Sequence, residues 1–350
     1  MEITELTKER KEVWNQFCLV SDDAWWRHTT YHLDFFLKYK PELKPKQKSF
    51  MVYKNDKLIA ICSLIKEGQE FSFGNDYGPT PAFHSALTSK ERKKVKKFVF
   101  KHIDKLAKEN NIKRIRMKFP VLNSTHEGYN YLMKYGFLDT SINTRIIDLN
   151  KPLSKLRKDI RHGHDSDIDR ASLSLDSWVF DKDNITKNDF EKYKYLHYVA
   201  SGRKTRPDKT FDMFYDNIKN GYAFLVMVTI DVPEIDSTEV VSCAYFTAYK
   251  GNVYYGSSCN KPNVNLPLAH FVQWEAIKYM KSKYNFYETG WQQYGNTLSD
   301  FPSKKEINIS KFKRGFGGFT VPLFRGEKFY DKGYFLKIQN ERTNRYVETL

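Results

Sequence analysis

The chain has 350 residues, and its 58 Lys and Arg outnumber 42 Asp and Glu to give a formal charge of +16. Hydrophobic residues make up 40% and aromatics 16%, which excludes a disordered chain and is enough for one large core or two ordinary ones. A field of that sign draws nucleotides, phosphorylated sugars, tRNA or anionic lipid and is silent on fold; the same total also fits a Lys-rich solvated surface.

The opening MEITELTKERKE has no apolar core and is not a signal peptide, and no run approaches the ~18 apolar residues of a membrane span. A cytoplasmic protein is expected, with peripheral contact at the inner membrane face left open. Residues Ser49–Tyr53 and Leu58–Leu64 are β-rich runs around the turn KNDK and predict a hairpin. A short strand at Phe71–Phe73 runs into the polar loop GNDYGPTPAF. A helix over Ser89–Asn110 follows, with Val95, Phe98, Val99, His102, Ile103 and Leu106 on one buried stripe and its lysines opposite. The strand IKRIRMKF, a helix over Tyr129–Tyr135 and a strand over Thr144–Leu149 complete the order of a GNAT lobe. The second half repeats that grammar. Helices are predicted over Lys155–Ala171, Lys187–Ala200 and Lys209–Lys219, and strands over Tyr222–Ile230, Val240–Tyr249 and Asn252–Tyr255. The helix Pro267–Lys283, the strand FYETG, the β-rich FTVPLF and a last helix over Asp331–Thr349 follow. Cys62 and Cys243 sit in apolar strand runs. With Cys18 and Cys259 they form no CxxC pair and no zinc spacing, which fits a reducing compartment. The expected fold is α/β with mixed sheets, as two tandem GNAT-like lobes, 1–150 and 151–350; the cleft expected between them is implied by the family resemblance that the following strings carry.

Particular strings carry a resemblance. In the first half these are TTYHLDFFLKY, KLIAICSLI and FSFGNDYGP. In the second they are LHYVASGRKTRPDKTFDMF, VYYGSS, LPLAHFVQWEAIKYMKS, FYETGWQ and KKEINISKFKRGFGG. In that order they resemble the FemABX family and related FemAB-like GNAT proteins. The resemblance implies an acyltransferase or aminoacyltransferase acting on an amine of a cell-envelope precursor, either a peptidoglycan peptide or an amino sugar of a surface polysaccharide. It implies no tightly bound cofactor, with aminoacyl-tRNA or acyl-CoA as donor and an anionic or lipid-linked acceptor; DNA is not an expected partner. The long coiled-coil arm of the tRNA-using bridge builders is absent from the pattern.

Amine attack on an ester or thioester needs a neutral amine, a stabilised oxyanion and a protonated leaving group. Phe312 and Lys313 match the family's Phe-Lys position, where a lysine ammonium would neutralise the oxyanion, and Gly315, Gly317 and Gly318 could present N–H groups to an anion. Arg203 and Arg206 follow a helix end and suit an anionic substrate group, with His197 six residues before Arg203 as a candidate base. Glu288 ends a central strand and is a second candidate base. Tyr254 and Tyr255 fall where the family turns aromatics to the cleft, and His270 and Trp274 share a helix face. Asp76 and Tyr77 occupy the first-lobe loop that the family uses for the acceptor. His162, His164, Asp165 and Asp167 in RHGHDSD are not read as a metal site, for want of a distant ligand pair. The donor loop SCNKPNVNLPLAH has no glycine and two prolines, which departs from the usual CoA pyrophosphate cradle. Two other readings stand beside this one: a CoA-dependent N-acetyltransferase of nucleotide-linked amino sugars, and a non-catalytic tRNA-binding protein on a GNAT scaffold.

Overall fold

A computed structural model describes residues 1–123, 128–232, 237–297 and 299–348. The chain begins with β1 (Glu2–Glu5), α1 (Lys11–Val20), α2 (Thr30–Tyr39), β2 (Lys46–Gln47), β3 (Phe50–Lys54), β4 (Lys57–Cys62) and β5 (Ile65–Glu67). It continues through β6 (Glu70–Phe71), β7 (Gly78–Pro79), β8 (Ala82–Phe83), α3 (Ser89–Glu109), β9 (Arg114–Lys118) and β10 (Leu138–Asp139). Next come β11 (Ile142–Asp148), α4 (Leu153–Lys158), α5 (His162–Ser172), β12 (Leu175–Phe180), α6 (Lys187–Ser201), α7 (Asp208–Lys219) and β13 (Ala223–Val232). β14 (Ser237–Tyr249), β15 (Asn252–Asn260), α8 (Leu268–Lys281), β16 (Phe286–Gln292), α9 (Lys304–Arg314), β17 (Phe319–Leu323), β18 (Arg325–Phe329) and α10 (Lys332–Val347) close the chain.

The chain folds into two compact units that no single cut in the sequence separates. One unit is Met1–Asn143 with Trp291–Asn308 and Pro322–Leu350; the other is Thr144–Gly290 with Ile309–Val321. In the first, the β3–β4 hairpin turns through Asn55 and Asp56 at φ 50° and 59°, a left-handed pair suited to a two-residue hairpin loop. Helix α3 starts with a reciprocal cap: Glu91 N–H donates to Thr88 Oγ1 at 3.3 Å and Thr88 N–H to Glu91 at 3.2 Å. Its Val95, Val99, Phe100 and Ile103 join β3, β4 and β9 in one core. Strand β18 is inserted between β10 and β9, and ion pairs stitch it there. Buried Glu327 receives Arg342 at 2.8 Å and lies 3.7 Å from Arg114, which also pairs with Glu70 at 2.7 Å.

In the second unit the sheet order is β12-β13-β14-β15-β16-β11-β17. Alternate residues of β13 enter two different cores, because successive side chains of a strand point to opposite faces. Phe224, Val226 and Val228 pack with α8, whereas Ala223, Leu225 and Met227 pack with α6 and α7. The helix expected over Lys155–Ala171 is two helices, α4 and α5. Arg161 N–H donates to Gly315 O at 2.8 Å instead of to its own helix, which breaks the helix there. The helix expected over Tyr129–Tyr135 is a 3-10 turn, Tyr131–Tyr135. The final helix runs to Val347, and its expected end at Thr349 lies outside the described residues.

Candidate functional site

Strands β15 and β16 run parallel, but their pairing covers only Asn252–Tyr254 against Phe286–Glu288. Val253 and Tyr287 point into the core under α8. By alternation Tyr254, Glu288 and Gly290 share the opposite face, the one toward α6 and α7. Into that face comes Lys313, from the last turn of α9 and only 9% exposed. A Cβ built on Gly290 would lie 2.9 Å from Lys313 Nζ and 3.8 Å from the Tyr254 hydroxyl, so the ammonium packs over bare backbone beside the phenol. Gly290 has φ 98°, a conformation L side chains rarely adopt. Glu288 is buried, and its Oε1 accepts from Thr144 Oγ1 of β11 at 2.8 Å. Burial pushes the Lys313 ammonium down to about 8, and the Glu288 charge partly offsets that. The sequence pointed to Lys313, Glu288 and Tyr254, and the fold brings the three together. Thr144 and Gly290 were not singled out, because only strand register reveals them.

A second cluster lines the same face. The β14 register sets Tyr254 opposite Thr247 and, past an irregularity, Ser257 opposite Tyr245, so Tyr254 and Ser257 both face α6 and α7. Arg206 reaches Ser257 Oγ at 3.4 Å and donates to His197 Nε2 at 3.0 Å. Its guanidinium lies 5.1 Å from the ring centres of Phe211 and Phe214. Desolvation, with Arg206 adding to it, lowers the His197 imidazole to about 4. His197 is therefore neutral near pH 7, with its Nε2 lone pair engaged by Arg206. Arg203 is exposed on the adjoining loop.

Other expected residues have different surroundings. Phe312 packs in an aromatic cluster, its ring centre 5.3 Å from His164 and 5.0 Å from His270. His164 Nε2 lies 2.9 Å from Phe312 O, and desolvation lowers the His270 imidazole to about 4. A Cβ on Gly315 would lie 2.1 Å from His164 Nε2, and one on Gly318 2.2 Å from Ile146 O, so these glycines admit close packing. The N–H groups of Gly315, Phe316 and Gly317 donate to Phe312, Lys313 and Arg314 carbonyls and finish α9, so the Gly315 and Gly317 N–H groups expected to face an anion are engaged within the turn. Trp274 is buried beneath Arg157, and Tyr255 stacks on Phe246 in the α8-side core, away from the Tyr254 face.

In the first unit, Glu67 shapes the GNDYGP loop by accepting from the Gly74 and Asn75 N–H groups at 2.7 and 2.9 Å. Asp76 pairs with Lys118 at 2.8 Å. Tyr77 is buried, and its hydroxyl contacts Thr140 Oγ1 at 3.0 Å and Glu327 at 2.9 Å. Among the described residues no group of three or more His, Cys, Asp and Glu could hold a metal ion, and no helix is long and apolar enough to cross a membrane.

No protein-family model and no curated protein sequence matches the chain. Solved structures do. FemX aligns over 97% of this chain and 100% of its own, with a TM-score of 0.67 at 14% identity. The chain has the tandem GNAT fold of FemX. L-PGS from Bacillus licheniformis aligns over 97% of both chains with a TM-score of 0.62 at 12% identity. A tandem GNAT protein from the clavulanic acid biosynthesis pathway covers 94% of this chain and 98% of its own, with a TM-score of 0.55 at 10% identity.

Proposed function

We propose that the chain is an acyltransferase that moves an aminoacyl or acyl group onto an amine of an anionic cell-envelope precursor. One observation carries the proposal: Lys313 is held over Gly290, beside Tyr254 and Glu288, at the end of the short β15–β16 pairing. In the proposed reaction a neutral amine attacks the carbonyl of an ester or thioester, the new C–N bond forms, and charge collects on the carbonyl oxygen. A cation already fixed in a site sparing in water stabilises that oxyanion without reorganising. The bond to the leaving oxygen or sulfur then breaks, and the amine's surplus proton goes to the departing atom. Glu288, with one oxygen engaged by Thr144, favours the charged form of Lys313 rather than acting as the base. Arg206 reaches Ser257, three residues along β15 from Tyr254, and suits a phosphate or carboxylate of the acceptor.

The start of α8 bears on the donor. The Leu268 N–H donates to Leu266 O at 2.8 Å and the His270 N–H to Pro267 O at 3.0 Å, and Pro267 has none. Two prolines and no glycine in SCNKPNVNLPLAH depart from the usual pyrophosphate cradle, and the donor is an aminoacyl-tRNA or an acyl-CoA. The resemblance of the KKEINISKFKRGFGG string to the FemABX family supports a peptidoglycan-type or amino-sugar acceptor. The test is mass spectrometry of purified protein incubated with aminoacyl-tRNA or acyl-CoA donors and with muropeptide or amino-sugar acceptors. A mass gain equal to the donor's acyl group, lost in Lys313→Ala, is expected. Salt-sensitive tRNA binding without consumption of any donor would overturn the reading.

A further inference from the structure

Helix α3 carries a feature that the transfer chemistry does not use. Lys90, Lys94, Lys97, Lys101, Lys105 and Lys108 recur at steps of three and four, so at 100° per residue they fall within an arc of about 80°. All six are exposed, and Lys93 flanks them. At 1.5 Å per residue the stripe is about 27 Å long and straight. Its charge is barely offset. Among the described residues only Lys105 of the six meets a carboxylate, Glu109 at 3.7 Å. The other acids of the helix are engaged elsewhere: Asp104 binds Lys328 and Tyr330, each at 2.6 Å, and Glu91 binds Lys54 and caps the helix. Along one side of the stripe runs a groove of about 760 Å³, lined by the half-buried Ile3 and Phe98, by Lys101, Lys105 and Lys108, and by the acids Asp104 and Glu109.

We propose that this face of α3 docks on an anionic lipid surface, the lysines over the headgroups and the Phe98–Ile3 groove against the apolar boundary. The residue types decide between lipid and nucleic acid. Lysines are compact, strongly hydrated charges that gain from a diffuse anionic plane, whereas bidentate phosphate recognition and base stacking call on arginine and exposed aromatics. The stripe has neither; Arg92, the helix's arginine, is turned to Asp23. A straight, flat row suits a plane, and the half-buried Ile3 and Phe98 beside the lysines suit an amphiphile.

The test is co-sedimentation of the full chain with vesicles of phosphatidylcholine alone or mixed with phosphatidylglycerol, at low and high salt. Binding to the mixed vesicles, its loss at high salt and no binding to phosphatidylcholine alone are expected. Attraction worth roughly fivefold per lysine makes Lys94→Gln, Lys97→Gln, Lys101→Gln and Lys105→Gln together lower the partition coefficient by about a hundredfold or more. A control with the same charge loss, Lys209→Gln, Lys219→Gln, Lys332→Gln and Lys337→Gln, is expected to change it far less. Equal loss in both variants would assign the effect to net charge and overturn the proposal, as would failure to bind the mixed vesicles. Bulk tRNA binding that the α3 variant abolishes while vesicle binding persists would reassign the face to RNA. Circular dichroism of each variant checks that the helix is intact. Vesicle binding does not depend on turnover, so this result and the transferase assay fail separately.

Discussion

At the scale of single residues, the chemistry turns on whether Lys313 is protonated. Its ammonium is lowered by burial to about 8 and must stay charged to meet an oxyanion, so activity is expected below that pH and lost as pH rises through it. Lys313→Ala is expected to lower kcat by about 10²–10³ with a small change in KM, the usual cost of removing one oxyanion donor. Lys313→Arg, charged throughout the range, should remove the alkaline limb whatever its residual rate; a limb that persists would belong to another group. Glu288 raises the Lys313 value, so Glu288→Gln is expected to move the alkaline limb to lower pH, which a pH–rate profile reads directly. Arg206→Ala is expected to raise KM for the anionic substrate with kcat little changed. Two residues of this site were legible in the sequence, Lys313 through the family resemblance of its Phe-Lys string and Glu288 as a carboxylate in the strand FYETG. Gly290 and Thr144 were not, because a glycine within FYETG and a threonine in a strand acquire meaning only when register sets them beside Lys313.

At the scale of elements, α9 had no apolar stripe to announce it. Of its eleven residues only Ser310 and Lys313 are buried, so the apolar spacing of KKEINISKFKR does not mark the helix that aims the lysine. By contrast, α3 and α8 were readable from their periodicity, since each buries a full apolar face. The break between α4 and α5 was hidden because its cause is a distant acceptor, the Gly315 carbonyl that takes the Arg161 N–H. The turn after α9 is held by close packing, and that can be tested. In Gly315→Ala the new methyl would meet His164 Nε2, whose ring is pinned between Phe312 O and the His270 ring. A loss of about 1–3 kcal/mol in denaturant unfolding is expected, with activity falling because the end of α9 must shift. An alanine variant as stable as the parent would show that the turn tolerates displacement.

At the scale of the whole molecule, the sequence suggested a cut near residue 150, yet compactness follows strand pairing more closely than chain order. The C-terminal segment returns to the first unit and places β18 between β10 and β9, where Glu327 lies buried among Arg342, Arg114 and the Tyr77 hydroxyl. Such a pairing of distant segments leaves no local trace, and β18 itself, RGEKF, is too polar to read as a central strand. Removing residues 322–350 would therefore take out an interior strand, expose the β9 edge and leave Arg114 and Tyr77 without their shared carboxylate. The truncated chain is expected to lose protease resistance across residues 1–143, and a folded, resistant product would refute this account of the sheet. The milder Glu327→Gln tests the charge alone. Arg342, Arg114 and Tyr77 hold the Glu327 carboxyl below its ordinary value against its burial, so its contribution to stability is present above the unfolded-state value near pH 4.3 and is lost as pH falls through the folded one. The variant should unfold at lower denaturant at neutral pH, by about 3–5 kcal/mol, and the gap to the parent should narrow in acid. A gap that stayed constant with pH would assign the loss to packing instead of charge.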